Sequence, residues 1–200
     1  MVPRKRSVHC DWMTTNAAEA AGCMVEGSAC RDVRHDRTFS SRCHMDVGGC
    51  LIRQFQEGDE PAVVEVWHRS GKARYTFLPT WQELSVDTAR KVFREVIRPK
   101  CQLWVGTRDQ HIVACLAMNG SYVDRMCVDP NEWRKGWGTR LVEFAKNLSP
   151  DGLELHTHQQ NAVARAFYER QGFVAVKFGT SPPPECAPDV EYHWRPAKSS

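Results

Sequence analysis

Apolar residues divide the chain into two unequal parts. Residues 1–49 contain no leucine or isoleucine and few valines or phenylalanines, and they follow neither a helical nor a strand period. A segment of this kind buries too little apolar surface to offset the entropy lost on ordering. From Leu51 onwards, strand and helix periods succeed one another. The pattern predicts a mobile, poorly ordered extension over 1–49 and a folded domain over 50–196.

The first part of this domain is predicted to contain a strand and two helices. Residues 51–55 form the strand, and Asp59-Glu60-Pro61 favours a helix start. A second helical stripe begins at Asp87 and is expected to end near Arg98, because Pro99 cannot continue a helix.

Three antiparallel strands are expected next, over 102–106, 112–118 and 122–128. The first two runs are apolar and rich in β-forming residues. Asn119-Gly120 lies between the last two, and this dipeptide is typical of a two-residue hairpin turn.

Strands and helices alternate in the rest of the domain. A glycine-containing turn and an apolar stripe at helical spacing follow the strand 122–128. The later elements are a strand over 153–157, a helix over 161–171 closed by Gly172, a strand over 173–178 and an alternating run over 190–194. This order predicts parallel pairing through helical crossovers, with the last run as an edge or closing strand. The fold class is α/β with a mixed sheet.

Composition and charge exclude two classes of partner. The 200 residues are sized for one domain, and the 42% apolar and 26% charged content with a mean hydropathy of −0.52 is typical of a water-soluble protein. No apolar run approaches the length of a membrane span. The net charge of +3 is too balanced for a nucleic-acid binder. Neither a membrane nor a nucleic acid is an expected partner.

The nine cysteines are expected to be reduced and free of metal. Residues 1–6 are basic, but no apolar stretch typical of an export signal follows them, so we predict a cytoplasmic protein. Zinc ligands usually come in pairs about two to four residues apart. The five cysteines nearest the N-terminus instead alternate at gaps of thirteen and seven, as Cys10, Cys23, Cys30, Cys43 and Cys50. A metal site and redox sensing remain the alternatives for these thiols.

The turn Arg134-Lys135-Gly136-Trp137-Gly138-Thr139 has the features of an anion site. It follows a strand and opens a helix, whose first N–H groups have no acceptor within the helix. The two glycines let the backbone approach an anion closely, and Arg134, Lys135 and the helix dipole add positive potential. A tight connection between strand and helix would use the same residues, so the turn alone leaves both interpretations open.

Two motifs flank this turn, Val123–Pro130 and Asn161–Phe173. Together with the turn they resemble the acyl-CoA motifs of the GCN5-related N-acetyltransferase (GNAT) superfamily. The second motif is the more specific, because its Asn, Ala, Phe-Tyr and Gly-Phe stand at the family's spacings. The resemblance implies a GNAT-like mixed, mostly antiparallel central sheet of six to seven strands flanked by about four helices.

The resemblance also implies the activity. It predicts an acyltransferase that moves an acetyl group from acetyl-CoA, its co-substrate, to a primary amine by direct transfer in a ternary complex. The residues that it assigns to acetyl-CoA are Met126, Cys127, Val128, Arg134, Lys135, Gly136, Trp137, Gly138, Thr139, Asn161 and Ala164.

Two features depart from the family's pattern. Trp133 stands where Arg or Gln is usual, which puts one phosphate-side contact in question. The proline-rich segment 181–185 replaces a polar, glycine-containing one and implies altered acceptor-side geometry. The alternative function is therefore a catalytically inactive acyl-CoA-binding regulatory module.

Asp124 is the first candidate for a general base. An ammonium must lose a proton before its nitrogen can attack a thioester. Strand alternation places Asp124 on one face with Tyr122, Met126 and Val128, and Tyr122 is a second catalytic candidate. A solvated charge at the strand end is the competing interpretation of Asp124.

Tyr168 is the candidate for the general acid. It matches the family position that often protonates the thiolate, and a phenol stays neutral at pH 7. Asn161 is expected to cap the same helix and, by resemblance, to contact the CoA arm. We interpret the packing face of this helix as Ala162, Val163, Ala166 and Phe167. A core tyrosine is the alternative for Tyr168.

Three residues near these motifs admit more than one role. His156 and His158 share a strand face, and packing, acceptor binding and proton relay all stay open as their roles. A metal site formed by these two histidines would lack a third ligand. Cys127 suggests an acyl-cysteine route, although a strand-embedded thiol is more often inert. The acceptor stays open among small amines, antibiotics, amino acids and protein N-termini, and the strand 190–194 is a candidate edge for a homodimer.

Overall fold

Seven strands and five α-helices form between residues 50 and 197, the part of the chain that the computed structural model describes. The predicted extension over 1–49, with its four cysteines, lies outside the described residues. The elements are β1 (Cys50–Gln54), α1 (Glu60–Arg74), α2 (Pro79–Glu83), α3 (Val86–Val92), β2 (Gln102–Arg108), β3 (His111–Asn119), β4 (Tyr122–Val128), α4 (Trp137–Leu148), β5 (Leu153–His158), α5 (Ala162–Arg170), β6 (Val174–Thr180) and β7 (Pro188–Trp194). Within 50–197, no helix combines the length and apolarity of a membrane span.

The predicted strands and the helices α1, α4 and α5 are confirmed within a few residues. The second predicted helix is divided between α3 and a π-helical turn over Phe93–Ile97, and it ends before Pro99 as expected. Sequence periodicity missed α2, because five residues beginning at Pro79 are too few to show a helical stripe.

One mixed sheet orders the strands as β1-β2-β3-β4-β5-β7-β6. Only β4 and β5 pair in parallel, so the predicted α/β class with a mostly antiparallel sheet is confirmed. The predicted edge or closing position of the last strand is wrong, because β7 lies between β5 and β6 and leaves β6 at the edge. Val190 and Tyr192 of β7 are fully buried, which favours an interior strand.

A β-bulge interrupts β4. Tyr122 pairs with Asn119, Val123 with Met118 and Arg125 with Ala117. Asp124 is therefore an extra residue that has no paired residue on β3. Paired residues share a face and neighbours on β3 point to opposite faces. Tyr122 therefore lies on the face of Arg125. The prediction that it shares a face with Met126 and Val128 is wrong, because the extra residue resets the alternation.

The sheet opens between β4 and β5. The two strands pair at a single register position, Tyr122 with Glu154, and then separate towards their carboxyl ends. A core packs on each face of the sheet, one around Trp67, Trp81 and Phe93 on the side of α1 to α3, the other around Leu141 and Tyr192 on the side of α4 and α5. The gap between β4 and β5 therefore lies inside the domain, with helices above and below.

Candidate active site

A cavity of about 800 Å³ fills the gap between β4 and β5. Its walls also include the turn before α4, the helices α1, α2 and α5, and the loop that joins β6 to β7. The predicted site residues that line it are Tyr122, Asp124, Met126, Cys127, Val128, Arg134, Gly136, Trp137, Gly138, Thr139, Asn161, Ala164 and Tyr168. Lys135 is not among the residues that line the cavity, and its ammonium is 2.9 Å from Glu132.

The turn before α4 is built for close approach of an anion. Gly136 is the N-cap of α4 and has a φ of 86°, a conformation that other residues rarely adopt. At Gly138, a Cβ would come within 3.1 Å of the Phe167 ring, so α4 and α5 approach closely here. Trp137, 1% exposed, anchors the start of the helix in the core. The first N–H groups of α4 thus end at the cavity with no acceptor inside their own helix.

Trp133, which departs from the family's pattern, makes two contacts that shape the turn. Its indole N–H donates to the Val128 carbonyl at 2.8 Å and fixes the turn against the end of β4. The Arg74 guanidinium carbon lies 4.2 Å from the centre of the Trp133 ring, a cation–π geometry. Burial lowers the pKa of Arg74. Arg74 is a cation of the cavity wall that no pattern in the sequence indicated.

The backbone of β4 provides a second kind of recognition. One edge of β4 pairs with β3 throughout, while the other pairs with β5 only at Tyr122. Beyond that position, no strand in residues 50–197 pairs with this edge, and Met126 to Val128 line the cavity beside it. Backbone N–H and C=O groups that are not paired in the sheet can bind an extended chain carrying amide groups.

Tyr168 lines the cavity and is largely buried. Its ring contacts Phe173 and Tyr192, with ring centres 5.6 Å and 6.2 Å away. Burial raises the pKa of the Tyr168 hydroxyl well above its usual range, so the phenol stays protonated.

The predicted packing face of α5 is wrong. Ala162, Val163 and Ala166 are exposed and Phe167 is half-buried, whereas Tyr168 is the residue of this helix that is buried. The reason is that α5 rests on the sheet through one turn next to the cavity and leaves its outer side in solvent. Asn161 caps the helix as predicted, since its side-chain oxygen accepts from the Ala164 N–H at 3.2 Å.

The other two catalytic candidates are Asp124 and Tyr122. The Asp124 carboxylate is 3.3 Å from the Arg125 guanidinium, and its side chain is 3% exposed. It is therefore a buried, ion-paired carboxylate, and the interpretation as a solvated charge is wrong. The Tyr122 hydroxyl and His156 Nδ1 are 3.3 Å apart across the gap between β4 and β5. Tyr122 thus lies beside His156, a histidine for which the sequence leaves several roles open.

Cys127 and Cys115 lie directly opposite each other on β4 and β3. Both are buried free thiols. The hydrogen bond to Cys127 and burial raise the pKa of Cys115 well above its usual range, and a thiol is a far weaker nucleophile than a thiolate. In residues 50–197, no group of three or more His, Cys, Asp or Glu side chains is arranged to hold a metal ion.

The far end of the cavity is formed by residues that sequence reasoning mostly missed. Glu185, in the proline-rich loop, accepts a hydrogen bond from the Trp81 indole N–H at 3.0 Å, and its other oxygen is 3.1 Å from His158 Nε2. The Tyr75 ring meets the His158 ring edge-on with centres 5.3 Å apart. Burial raises the pKa of Tyr75 to about 12. The departure of segment 181–185 from the family's pattern and the histidine at 158 were the sequence signals for this cluster.

Comparisons with known proteins agree with this geometry. A family model described as an acetyltransferase (GNAT) domain matches residues 99–175, which include the turn before α4. The peptidyl-lysine N-acetyltransferase YjaB of Salmonella typhimurium is 30% identical over 123 residues, which are 61% of this chain and 81% of that protein. The peptidyl-lysine N-acetyltransferase YiaC of Escherichia coli is 28% identical over 129 residues, 63% of this chain and 84% of that protein.

Solved structures share the fold. The solution structure of apo-form YjaB from Escherichia coli aligns with a TM-score of 0.62 and 25% identity, covering 74% of this chain and 99% of that one. The crystal structure of the PaiA N-acetyltransferase from Thermoplasma acidophilum, in complex with coenzyme A, aligns with a TM-score of 0.55 and 19% identity over 73% and 98% of the two chains. From the sequence match to YjaB, the matched family model and the shared fold, we conclude that this chain belongs to the GNAT superfamily and is an acyltransferase.

Proposed function

We propose that the protein transfers the acetyl group of acetyl-CoA to the side-chain amine of a lysine in a peptide or protein. The observation that carries the proposal is the open edge of β4, which faces a cavity that ends at the glycine turn of α4. The two relatives named above as peptidyl-lysine N-acetyltransferases support lysine as the acceptor.

The residues present fit acetyl-CoA. The first N–H groups of α4, at Gly136 to Thr139, would hold the pyrophosphate, with Arg134 close by. The open edge of β4 at Met126 to Val128 would pair with the amides of the pantetheine arm. Asn161 and Ala164 form the opposite wall. Lys135 has no part in this proposal, because it does not line the cavity.

The chemistry needs a proton acceptor and a proton donor. Acetyl-CoA supplies the thioester whose C–S bond breaks as the C–N bond forms. Asp124 accepts the proton that the ammonium loses before attack, and Tyr122 lies beside the reacting groups. Tyr168 donates its hydroxyl proton to the departing thiolate, then takes back the proton that the nitrogen loses as the amide forms. Its raised pKa keeps this proton available at neutral pH.

Direct transfer requires no nucleophilic residue in the protein. The thiol pair Cys115 and Cys127 is buried and hydrogen-bonded, which supports attack by the amine itself. The Cys127→Ala variant is expected to retain turnover, and loss of turnover with acetyl-CoA binding intact would favour an acyl-cysteine route.

The experiment that tests the proposal has two steps. Acetyl-CoA binding is measured by calorimetry, and the protein is then incubated with acetyl-CoA and three acceptors: a lysine peptide, a peptide with only a free N-terminus, and a small alkylamine. We expect acetyl-lysine by mass spectrometry, with one free CoA thiol per product. Binding without product on any acceptor would overturn the proposal, and an inactive acyl-CoA-binding module would behave in that way.

A further inference from the structure

Glu185 is a buried carboxylate at the end of the cavity opposite the glycine turn. Its side chain is 7% exposed, and it lies on the cavity wall with His158 and Trp81. Within residues 50–197, no lysine or arginine nitrogen lies within 4.0 Å of it, and its ionisable partner is the His158 imidazole. A buried carboxylate is costly unless a cation or several hydrogen bonds compensate its charge. A cation in the cavity would add to the compensation that Trp81 and His158 give to this charge.

Aromatic rings pack around His158 and Trp81, the two side chains that contact this carboxylate. Tyr75 and Phe77 meet the His158 ring edge-on, with ring centres 5.3 Å and 6.0 Å away. Trp81 packs against Tyr75 at 5.2 Å and against Trp67 at 5.7 Å. Aromatic faces attract ammonium groups and also bury methylene groups. Trp67, Tyr75 and Trp81 line the cavity together with Glu185. A wall that combines aromatic rings with a carboxylate matches an unbranched alkyl chain that ends in a positive charge.

The loop that carries Glu185 is held in shape by its own hydrogen bonds. The Ser181 N–H donates to the Ala187 carbonyl at 2.8 Å, and the Ala187 N–H donates to the Ser181 hydroxyl oxygen at 3.1 Å. Ser181 is buried at the cavity wall. The Trp81 indole then fixes one carboxylate oxygen of Glu185 from α2. This loop holds the carboxylate in a fixed position. A fixed group loses less conformational entropy on binding a ligand than a mobile surface charge does.

We propose that Glu185 binds the acceptor's ammonium and makes the enzyme selective for cationic, unbranched primary amines. The inference rests on the proposed function and adds the residue that recognises the lysine. Each carboxylate oxygen has two acceptor sites, so the contacts to Trp81 and His158 leave capacity for an ammonium N–H. His158 is a positioning residue that orients the carboxylate. A neutral or anionic acceptor gains nothing from this contact.

The test compares two acceptors that differ in charge. One is a lysine peptide, and the other is the same peptide with an aminooxy group at the side-chain end, which is a nucleophile but is uncharged at neutral pH. In Glu185→Gln we expect kcat/KM for the lysine peptide to fall about thirtyfold, chiefly through KM. The aminooxy peptide should change by less than about threefold, as expected for a contact that depends on charge.

Control variants separate this role from a structural one. Glu154→Gln removes a carboxylate of β5 that pairs with Arg195 at 3.0 Å and does not line the cavity, so neither acceptor should be affected. Glu185→Asp keeps the charge and should recover part of the lysine activity. The acetyl-CoA affinity of each variant reports whether the fold is intact.

An equal loss on both acceptors in Glu185→Gln would overturn the inference while the proposed function stands. A wild-type protein that binds acetyl-CoA and acetylates neither peptide would instead remove the proposed function, and this inference with it.

Discussion

The two ends of the cavity are built from different parts of the chain and from different kinds of group. At the glycine turn, backbone groups of α4 and β4 face the cavity, and they come from one continuous stretch around residues 122–139. At the opposite end, side chains of α1, α2, β5 and the β6–β7 loop meet, and Trp81 and Glu185 are 104 residues apart. We call the end at the glycine turn the cofactor end and the opposite end the acceptor end, following the proposed function. Recognition by backbone groups tolerates many different side chains, whereas recognition at the acceptor end depends on the identity of each side chain. The comparison implies that cofactor binding and acceptor choice can be changed separately.

The largest effect is expected at the cofactor end. Gly136→Glu places a carboxylate at the start of α4 and forces a residue with a Cβ to a φ of 86°. Because like charges repel in a site built for an anion, we expect the Kd for acetyl-CoA to rise at least about a hundredfold.

Gly136→Asn is the matched control, because asparagine tolerates the left-handed conformation and carries no charge. Its affinity should stay within about threefold of the wild type, measured by calorimetry. In thermal unfolding, acetyl-CoA at about 100 times its Kd should stabilise the wild type and the asparagine variant by about 2.7 kcal/mol. Equal binding by the glutamate variant would show that the turn holds no phosphate.

A loss of about a hundredfold in kcat is expected for Tyr168→Phe, with both KM values nearly unchanged. Phenylalanine keeps the ring contacts and removes the proton donor, so the stability of the fold should change little. Tyr192→Phe is the control, since Tyr192 contacts the Tyr168 ring but its hydroxyl donates to Glu169 at 2.6 Å, away from the cavity. Stopped-flow or steady-state assays measure kcat for both variants. An unchanged kcat in Tyr168→Phe would show that Tyr168 serves only in packing.

A smaller effect, confined to the acceptor end, is expected for Trp81→Phe. The change removes the indole N–H that fixes Glu185, so the KM for the lysine peptide should rise about fivefold. The Kd for acetyl-CoA should not move, because Trp81 belongs to the acceptor end. Trp104→Phe, which removes an indole that packs on Phe144, controls for the loss of a large ring. Equal changes in acceptor KM and acetyl-CoA Kd would contradict the independence of the two ends.

The smallest effect is expected in stability at high pH. Burial raises the pKa of Tyr75 to about 12, so the folded state holds this proton where the unfolded chain, with a pKa near 10, has lost it. The stabilisation is complete below pH 10 and is lost as the pH rises towards 12. Between those values the free energy of unfolding should fall less steeply in Tyr75→Phe than in the wild type. Urea titrations at a series of pH values measure the slope, and parallel curves would show that Tyr75 is not buried.

Most of the residues that the sequence assigned to acetyl-CoA lie together on the cavity wall, because the signals for them are local. The motif from Asn161 to Phe173, the turn at Gly136 and the strand over 122–128 are each continuous, and their backbone geometry follows from glycine, capping and alternation. The bulge at Asp124 could not be read from β4 alone, because an extra residue is defined only against its partner strand.

The acceptor end could not be predicted in the same way. Its contacts, such as Tyr75 with His158, form only when distant segments pack together, and a five-residue helix such as α2 leaves no period to find. The tyrosine at 168 was identified by resemblance, while its burial contradicted the packing face assigned to α5. Patterns within an element are thus informative about that element, and contacts between elements need the fold.

The extra residue in β4 also changes which alterations of this chain are conservative. A substitution at Asp124 removes a carboxylate and leaves the pairing on both sides unchanged. Deletion of the residue would let Tyr122, Val123 and Arg125 pair with Asn119, Met118 and Ala117 in simple alternation, so Tyr122 would keep its face beside His156 while the strand lost its local bend. In the evolution of such chains, the number of residues in this strand therefore sets its bend, separately from the identity of any of them.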